Sequence, residues 1–260
     1  MDKHRLSSEL MRLYSAEAGP SPTPEAVDLV LFDAQGRVRA LVLELGRPAD
    51  WPALAAVWQG VQGDLGLPAP AVAVQGRDAF QLWFSLARPV SAQAGHGFLA
   101  ALAARYLGDI AAHRLRLLPA ADPALPPPDR HAAPVPQRVA DGQWSAFVSA
   151  DLAPMFSDTP WLDTAPNLDG QAGLLAGLTC TQPDAWQQAL ARLMPAPAAG
   201  IDTGPRARES GETRAQAGTA GDGPQPDPRQ FLLGVMNDDN QPMHLRIEAA
   251  KALLPCTTNR

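Results

Sequence analysis

Apolar residues at Leu6, Leu10, Leu13 and Tyr14 recur at helical spacing, which predicts a helix within residues 1–19. Gly19 and the run from Pro20 to Pro24 end it and form a stiff tether, so the helix is expected to pack on the domain that follows. Val27 to Phe32 reads as a strand, Asp33-Ala34-Gln35-Gly36 as a turn, and Arg37 to Leu45 as the antiparallel partner strand. Alternation along that partner puts Val38, Ala40, Val42 and Glu44 on one face and Arg39, Leu41, Leu43 and Leu45 on the other. Asp50 and Pro52 have the chemistry of a helix start, and Leu54, Val57, Trp58, Val61 and Leu65 supply the stripe, with Gly66 as the expected C-cap. Gly60 and Gly63 each weaken that helix by about 1 kcal/mol relative to alanine, which points to close approach to the sheet.

Ala71 to Gln75 and Ala79 to Leu86 read as two strands joined at Gly76-Arg77-Asp78. On the second, Phe80, Leu82, Phe84 and Leu86 are expected to face the helices, and Gln81, Trp83 and Ser85 the open side of the sheet. Ser91 can cap a helix with the stripe Phe98, Leu99, Leu102, Tyr106 and Leu107, and Arg114 to Leu118 closes the unit before Pro119. Strand, helix, strand, strand, helix, strand is the split βαβ order. The expected fold is therefore α+β, a ferredoxin-like or RRM-like antiparallel sheet over residues 26–119 with an extra N-terminal strand. Many unrelated functions use that fold, so function has to be read from a site.

Residues 120–194 read as an acidic, loosely structured extension, with a Pro-rich loop from Asp122 to Gln137 and no clear period from Trp144 to Phe156. Leu168 to Leu178 is a candidate short helix. Thr181-Gln182-Pro183-Asp184 resembles a capping box ahead of Trp186, Leu190, Leu193 and Met194. Residues 195–226 have the composition of a disordered linker. Residues 227–260 carry two apolar stripes, Phe231 to Met236 and Leu245 to Leu254, separated by Asn237-Asp238-Asp239-Asn240. A helical hairpin is expected there, too small to bury a core alone and suited to docking a protein partner through residues 227–254.

Charge narrows the functional classes. The chain of 260 residues has a net charge of −6, but residues 26–119 hold eight Arg against seven acids, and residues 120–226 hold twelve acids against six Arg. No dense basic patch is present, so contact with nucleic acid would run through individual arginines. Cys180 and Cys256 stand alone and read as reduced thiols, and the five histidines show no zinc-ligand spacing. Neither a signal-type apolar segment nor a membrane-length run is evident, so a cytoplasmic protein without membrane contact is expected.

The candidate site is the presumed open sheet face. It carries Val42 and Glu44, then Gln81, Trp83 and Ser85, then Arg114 and Arg116, with Arg77 at the hairpin mouth. Leu43-Glu44-Leu45, Gln75-Gly76-Arg77-Asp78-Ala79-Phe80-Gln81 and Arg114-Leu115-Arg116-Leu117-Leu118-Pro119 follow one another in an order that resembles the palm of the archaeo-eukaryotic primase-polymerase superfamily. The resemblance covers residues 27–119 and implies a surface that meets nucleotides or single-stranded nucleic acid. It also shows departures. The acid pair of that family becomes Val42 and Glu44, and Gln81 stands where the family places histidine.

Two-metal phosphoryl transfer needs several carboxylates around ions about 3.5–4 Å apart, so magnesium or manganese is expected only if Asp28 or Asp33 joins Glu44. Three functions remain in view: a non-catalytic palm-like module binding nucleic acid or a protein, an active nucleotidyl transferase built on Glu44, and an adaptor acting through the C-terminal hairpin. Trp83 reads either as a base-stacking platform or as packing beneath a docked helix. The C-terminal stretch from Asp227 to Pro255 is similar to helical segments of phage-associated proteins such as small terminase subunits, which implies a mobile-element or DNA-packaging context.

Overall fold

The computed structural model describes residues 2–17, 29–122 and 124–194. The expected linker, the hairpin over residues 227–260, and Asp28 lie outside the described residues.

Local chemistry accounts for most element starts. Helix α1 spans Asp2–Tyr14, and strand β1 spans Arg37–Gly46. Helix α2, Trp51–Gly63, begins where the Asp50 carboxylate accepts the Ala53 N–H at 3.1 Å, with Pro52 in the first turn. Strand β2 is Ala71–Val74 and β3 is Ala79–Ser91. Ser91 ends β3 and caps helix α3, Ala92–Tyr106, its hydroxyl accepting the Ala94 N–H at 3.1 Å. Strand β4 is Leu115–Leu118. The sheet order β4-β1-β3-β2 has every neighbouring pair antiparallel, with Glu44 opposite Gln81 on one side and Arg116 on the other.

The sheet does not stop there. After the short helix α4, Pro127–Arg130, strands β5, Gln137–Ala140, and β6, Gln143–Val148, form a hairpin that joins the β2 edge. Six strands result, in an α+β fold. The extra strands thus come from the C-terminal side. Leu29 to Phe32 is not strand, and β1 pairs with β3 and β4 instead. Helices α5, Leu168–Ala176, and α6, Pro183–Leu193, complete the described part. At α6 the N-cap is Gln182 with no side-chain hydrogen bond, so the expected capping box is not made.

Both faces of the sheet are covered. Leu41, Leu43, Phe80, Leu82 and Phe84 pack against Leu54 and Val57 of α2, Phe98 and Leu102 of α3, and Trp186 of α6. On the opposite face Ala40, Val42, Ala73 and Trp83 pack against Leu10, Leu13 and Tyr14 of α1 and Leu175 of α5. The reason lies in side-chain size. Ala40, Ala71 and Ala73 leave a shallow surface around Trp83, and α1 settles onto it with Tyr14 edge-on to the indole at 5.2 Å.

Arginines fasten this cover. Arg12 donates to the carbonyls of Leu178 and Leu175 at 2.9 and 3.0 Å, at the end of α5. Arg39 donates to Ser15 and Arg12 carbonyls at 3.1 and 2.9 Å, where α1 ends. Cationic groups at helix C-termini satisfy carbonyls that have no partner inside the helix.

Two local expectations are corrected. Val38 faces the α2–α3 side with Leu41, because four residues of β3, Leu86 to Pro89, stand opposite Arg39 alone and the register shifts there. Gly60 meets the Tyr106 ring of α3 rather than the sheet, since a Cβ would sit 2.4 Å from that ring, and Gly63 faces open space. Among the described residues no helix is long and apolar enough to cross a membrane.

Candidate functional site

Helices α1 and α5 cover the Ala40–Trp83 part of the second sheet face, and at its Glu44 end the face opens into a cleft of about 230 Å³. Glu44, Gln81 and Arg116 come from three adjacent strands, and Gln75 and Arg77 from the turn between β2 and β3. The other wall is Ala133, Val135, Gln137, Val139 and Ser145, from β5, β6 and the segment before them. Periodicity could not have supplied that wall, because β5 is a four-residue strand that begins where the expected Pro-rich loop ends and β6 falls almost wholly in the stretch where no period is visible.

Strand register explains the convergence. Gln81 and Arg116 are the direct cross-strand partners of Glu44, so all three side chains leave the sheet on the same face. The Gln81 amide Nε2 donates to Glu44 Oε2 at 2.8 Å, and its Oε1 accepts the Trp83 indole N–H at 2.9 Å. Gln81 is 3% exposed and Trp83 1%, so this relay runs from the core to the cleft floor. Trp83 therefore has no surface on which a base could stack. It orients Gln81 instead.

The two arginines of the cleft keep free capacity. Arg116 makes one long contact, 3.4 Å to the Asp129 carbonyl, and neither Arg77 nor Arg116 has a carboxylate within 4.0 Å among the described residues. Arg77 is exposed at the mouth. On the floor, the Gln75 Oε1 atom is buried with no hydrogen-bond partner. An unpaired buried acceptor costs about 1–3 kcal/mol.

Arg114 is not part of this cluster. Its guanidinium turns to the carbonyls of Gly46 and Pro48 at 3.2 and 2.9 Å, and to Asp50 at 3.4 Å, tying β4 to the start of α2. Ser85 lies beneath the segment before α6, 3.4 Å from the Thr179 carbonyl. Asp33 is spent on its own turn, where its carboxylate accepts the Gln35 and Arg37 N–H groups at 2.9 and 2.8 Å and pairs with the Arg37 guanidinium at 2.7 Å. Burial alone would raise the Asp33 pKa, but those bonds outweigh it and the net shift is downward.

Among the described residues Glu44 is the one carboxylate lining the cleft. Among the described residues no three His, Cys, Asp or Glu side chains gather where they could hold a metal ion. The donor set of the described residues does not fit a two-ion centre.

A buried histidine missing from the candidate list supports the wall. His131 Nδ1 accepts the Ala132 N–H at 2.8 Å, which leaves Nε2–H to donate to the Ala40 carbonyl at 3.0 Å. That carbonyl lies beyond the reach of β4, which pairs only with Val42 to Leu45 of β1. The imidazole thus continues the ladder where the strand has ended. Burial holds it neutral and pushes its pKa down to about 4, against the raising effect of the hydrogen bond it donates to the Ala40 carbonyl.

No protein-family model matches this chain, and no curated protein matches it. The functional reading rests on the cleft.

Proposed function

We propose that this chain is a non-catalytic, palm-like binding module on a ferredoxin-like core, which receives single-stranded nucleic acid at the Glu44–Arg116 cleft. The βαββαβ order with sheet order β4-β1-β3-β2 supports the ferredoxin-like reading. One observation carries the functional part: Glu44, Gln81, Arg77 and Arg116, far apart in sequence, line a single cleft whose arginines have no carboxylate partner among the described residues. The non-catalytic part of the reading is supported by Glu44 being the one carboxylate that lines the cleft among the described residues, since phosphoryl transfer by paired ions needs more ligands than it supplies. The replication or mobile-element setting rests on the primase-polymerase resemblance.

Fluorescence anisotropy with a labelled single-stranded DNA at low salt tests the proposal. Micromolar binding that weakens as salt rises, and that drops in Arg77→Gln/Arg116→Gln, is the expected result. Absence of binding at high micromolar protein would overturn it.

A further inference from the structure

A second cavity, of about 450 Å³, opens beside Arg130 and shares no lining residue with the Glu44 cleft. We propose that it binds a small organic carboxylate, held end-on by the Arg130 guanidinium.

The cation is fixed before any ligand arrives. The Arg130 carbonyl accepts the Ala120 N–H at 2.8 Å, which ties its backbone to another residue of the lining. Its guanidinium lies over the Phe32 ring, 5.1 Å from the centroid. That ring is held in turn by the His131 imidazole, edge-on at 5.7 Å. A side chain already settled in this way loses little freedom on binding.

One edge of the guanidinium is closed and one is open. Nε is enclosed with no partner, so the edge it shares with a terminal nitrogen is shut to a ligand. The two terminal nitrogens engage no acceptor among the described residues and, unlike Nε, they are not enclosed. No carboxylate lies within 4.0 Å of Arg130 among those residues either. The free end therefore presents two N–H groups side by side, a match for the two oxygens of a carboxylate.

The rest of the lining selects the ligand. Phe32, Ala92, Ala120 and Ala121 are apolar, Gln93 is neutral, and Arg130 is the one charged side chain among the described lining residues. One positive charge balances a carboxylate, whereas the second charge of a phosphate monoester would be left without a partner. Asp33, the acid next to Phe32 in sequence, is already neutralised by Arg37 at 2.7 Å. Pockets for whole small molecules run about 300–1,000 Å³, so an apolar body can follow the carboxylate inside.

Benzoate is the probe, titrated into the full chain and followed by amide NMR, with neutral benzamide and dianionic phenyl phosphate beside it. Saturable benzoate binding with a Kd at or below about 1 mM is expected. The largest shifts should fall at the Phe32, Gly36, Ala120 and Ala121 amides. Benzamide and phenyl phosphate should each bind about tenfold or more weakly. Arg130→Gln should weaken benzoate by about the same factor, and so should Arg130→Lys, which keeps the charge but not the fork.

No saturable benzoate binding up to about 10 mM would overturn the proposal. So would benzamide binding as well as benzoate, shifts confined to the Glu44 cleft, or an unchanged benzoate affinity in folded Arg130→Gln. Tighter binding of phenyl phosphate than of benzoate would overturn the carboxylate assignment. Should Arg130→Gln fail to fold, the comparison of benzoate with benzamide on the wild type still decides.

Discussion

Trp83 donates its indole N–H to the Gln81 carboxamide oxygen at 2.9 Å, so a core residue dictates which way a cleft residue faces. With the oxygen held inward, the Gln81 amine can only point at Glu44, 2.8 Å away. Gln81→Leu should leave the indole N–H buried and unpaired, lowering unfolding free energy by about 1–3 kcal/mol. Gln81→Glu keeps an acceptor for the indole but sets two carboxylates side by side, so one of them should take up a proton more readily. Urea denaturation should show Gln81→Glu weakest at neutral pH and recovering below the carboxylate range. A Gln81→Leu protein as stable as wild type would disprove the relay.

His131 should give the fold an acid limit. Its folded pKa of about 4 lies below the unfolded value of 6.5, so between them the unfolded chain binds the proton and the native one does not. The contribution is complete above about pH 6.5 and is lost as pH falls toward 4, amounting to roughly 3 kcal/mol across that window. NMR titration of the His131 ring should show no protonation above about pH 5, the region that its lowered pKa predicts. A ring titrating near 6.5 would show that it is not buried against the Ala40 carbonyl.

Gly76 has φ 98° beneath the β5–β6 hairpin, where a Cβ would meet Val139 Cγ2 at 2.6 Å and the Ser145 N at 3.0 Å. Gly76→Ala adds backbone strain to that clash and should cost about 1–3 kcal/mol. Because Val139 is a wall of the cleft, strand affinity should fall with stability in this variant. Thermal unfolding and anisotropy on the same preparation would separate the two; an unchanged midpoint contradicts the packing.

The Tyr14 hydroxyl is buried with no partner, and desolvation drives its pKa far upward. Tyr14→Phe removes an unsatisfied group while keeping the ring against Trp83 and Phe147. Stability should hold or rise by about 1 kcal/mol. Tyr14→Ala, which removes the ring as well, should lose about 3–5 kcal/mol. A clear loss in Tyr14→Phe would reveal a partner for the hydroxyl.

Local pattern carried the element order from Arg37 to Leu118, because caps such as Asp50 and Ser91 and the alternation in β3 act over a few residues. It also brought Glu44, Gln81 and Arg116 to one face, since strand register follows from alternation once the order is known. The covering of that face was partly legible too. Ala40, Val42, Ala71 and Ala73 are apolar where an open face would be polar, and the stripe of α1 needed a partner.

Tertiary structure alone decided the rest. Leu29 to Phe32 has strand composition but no ladder to join, since β3 and β4 already occupy both edges of β1. Strands β5 and β6 are too short and too mixed to show a period; β6 becomes a strand because the β2 edge offers it hydrogen bonds, and β5 because β6 then does the same. Arg114 and Arg116 are alike in sequence and two positions apart, yet one is bound to backbone near α2 and the other faces the cleft. The carbonyls that hold Arg114 lie more than sixty residues away in the chain, and no local preference encodes that distance.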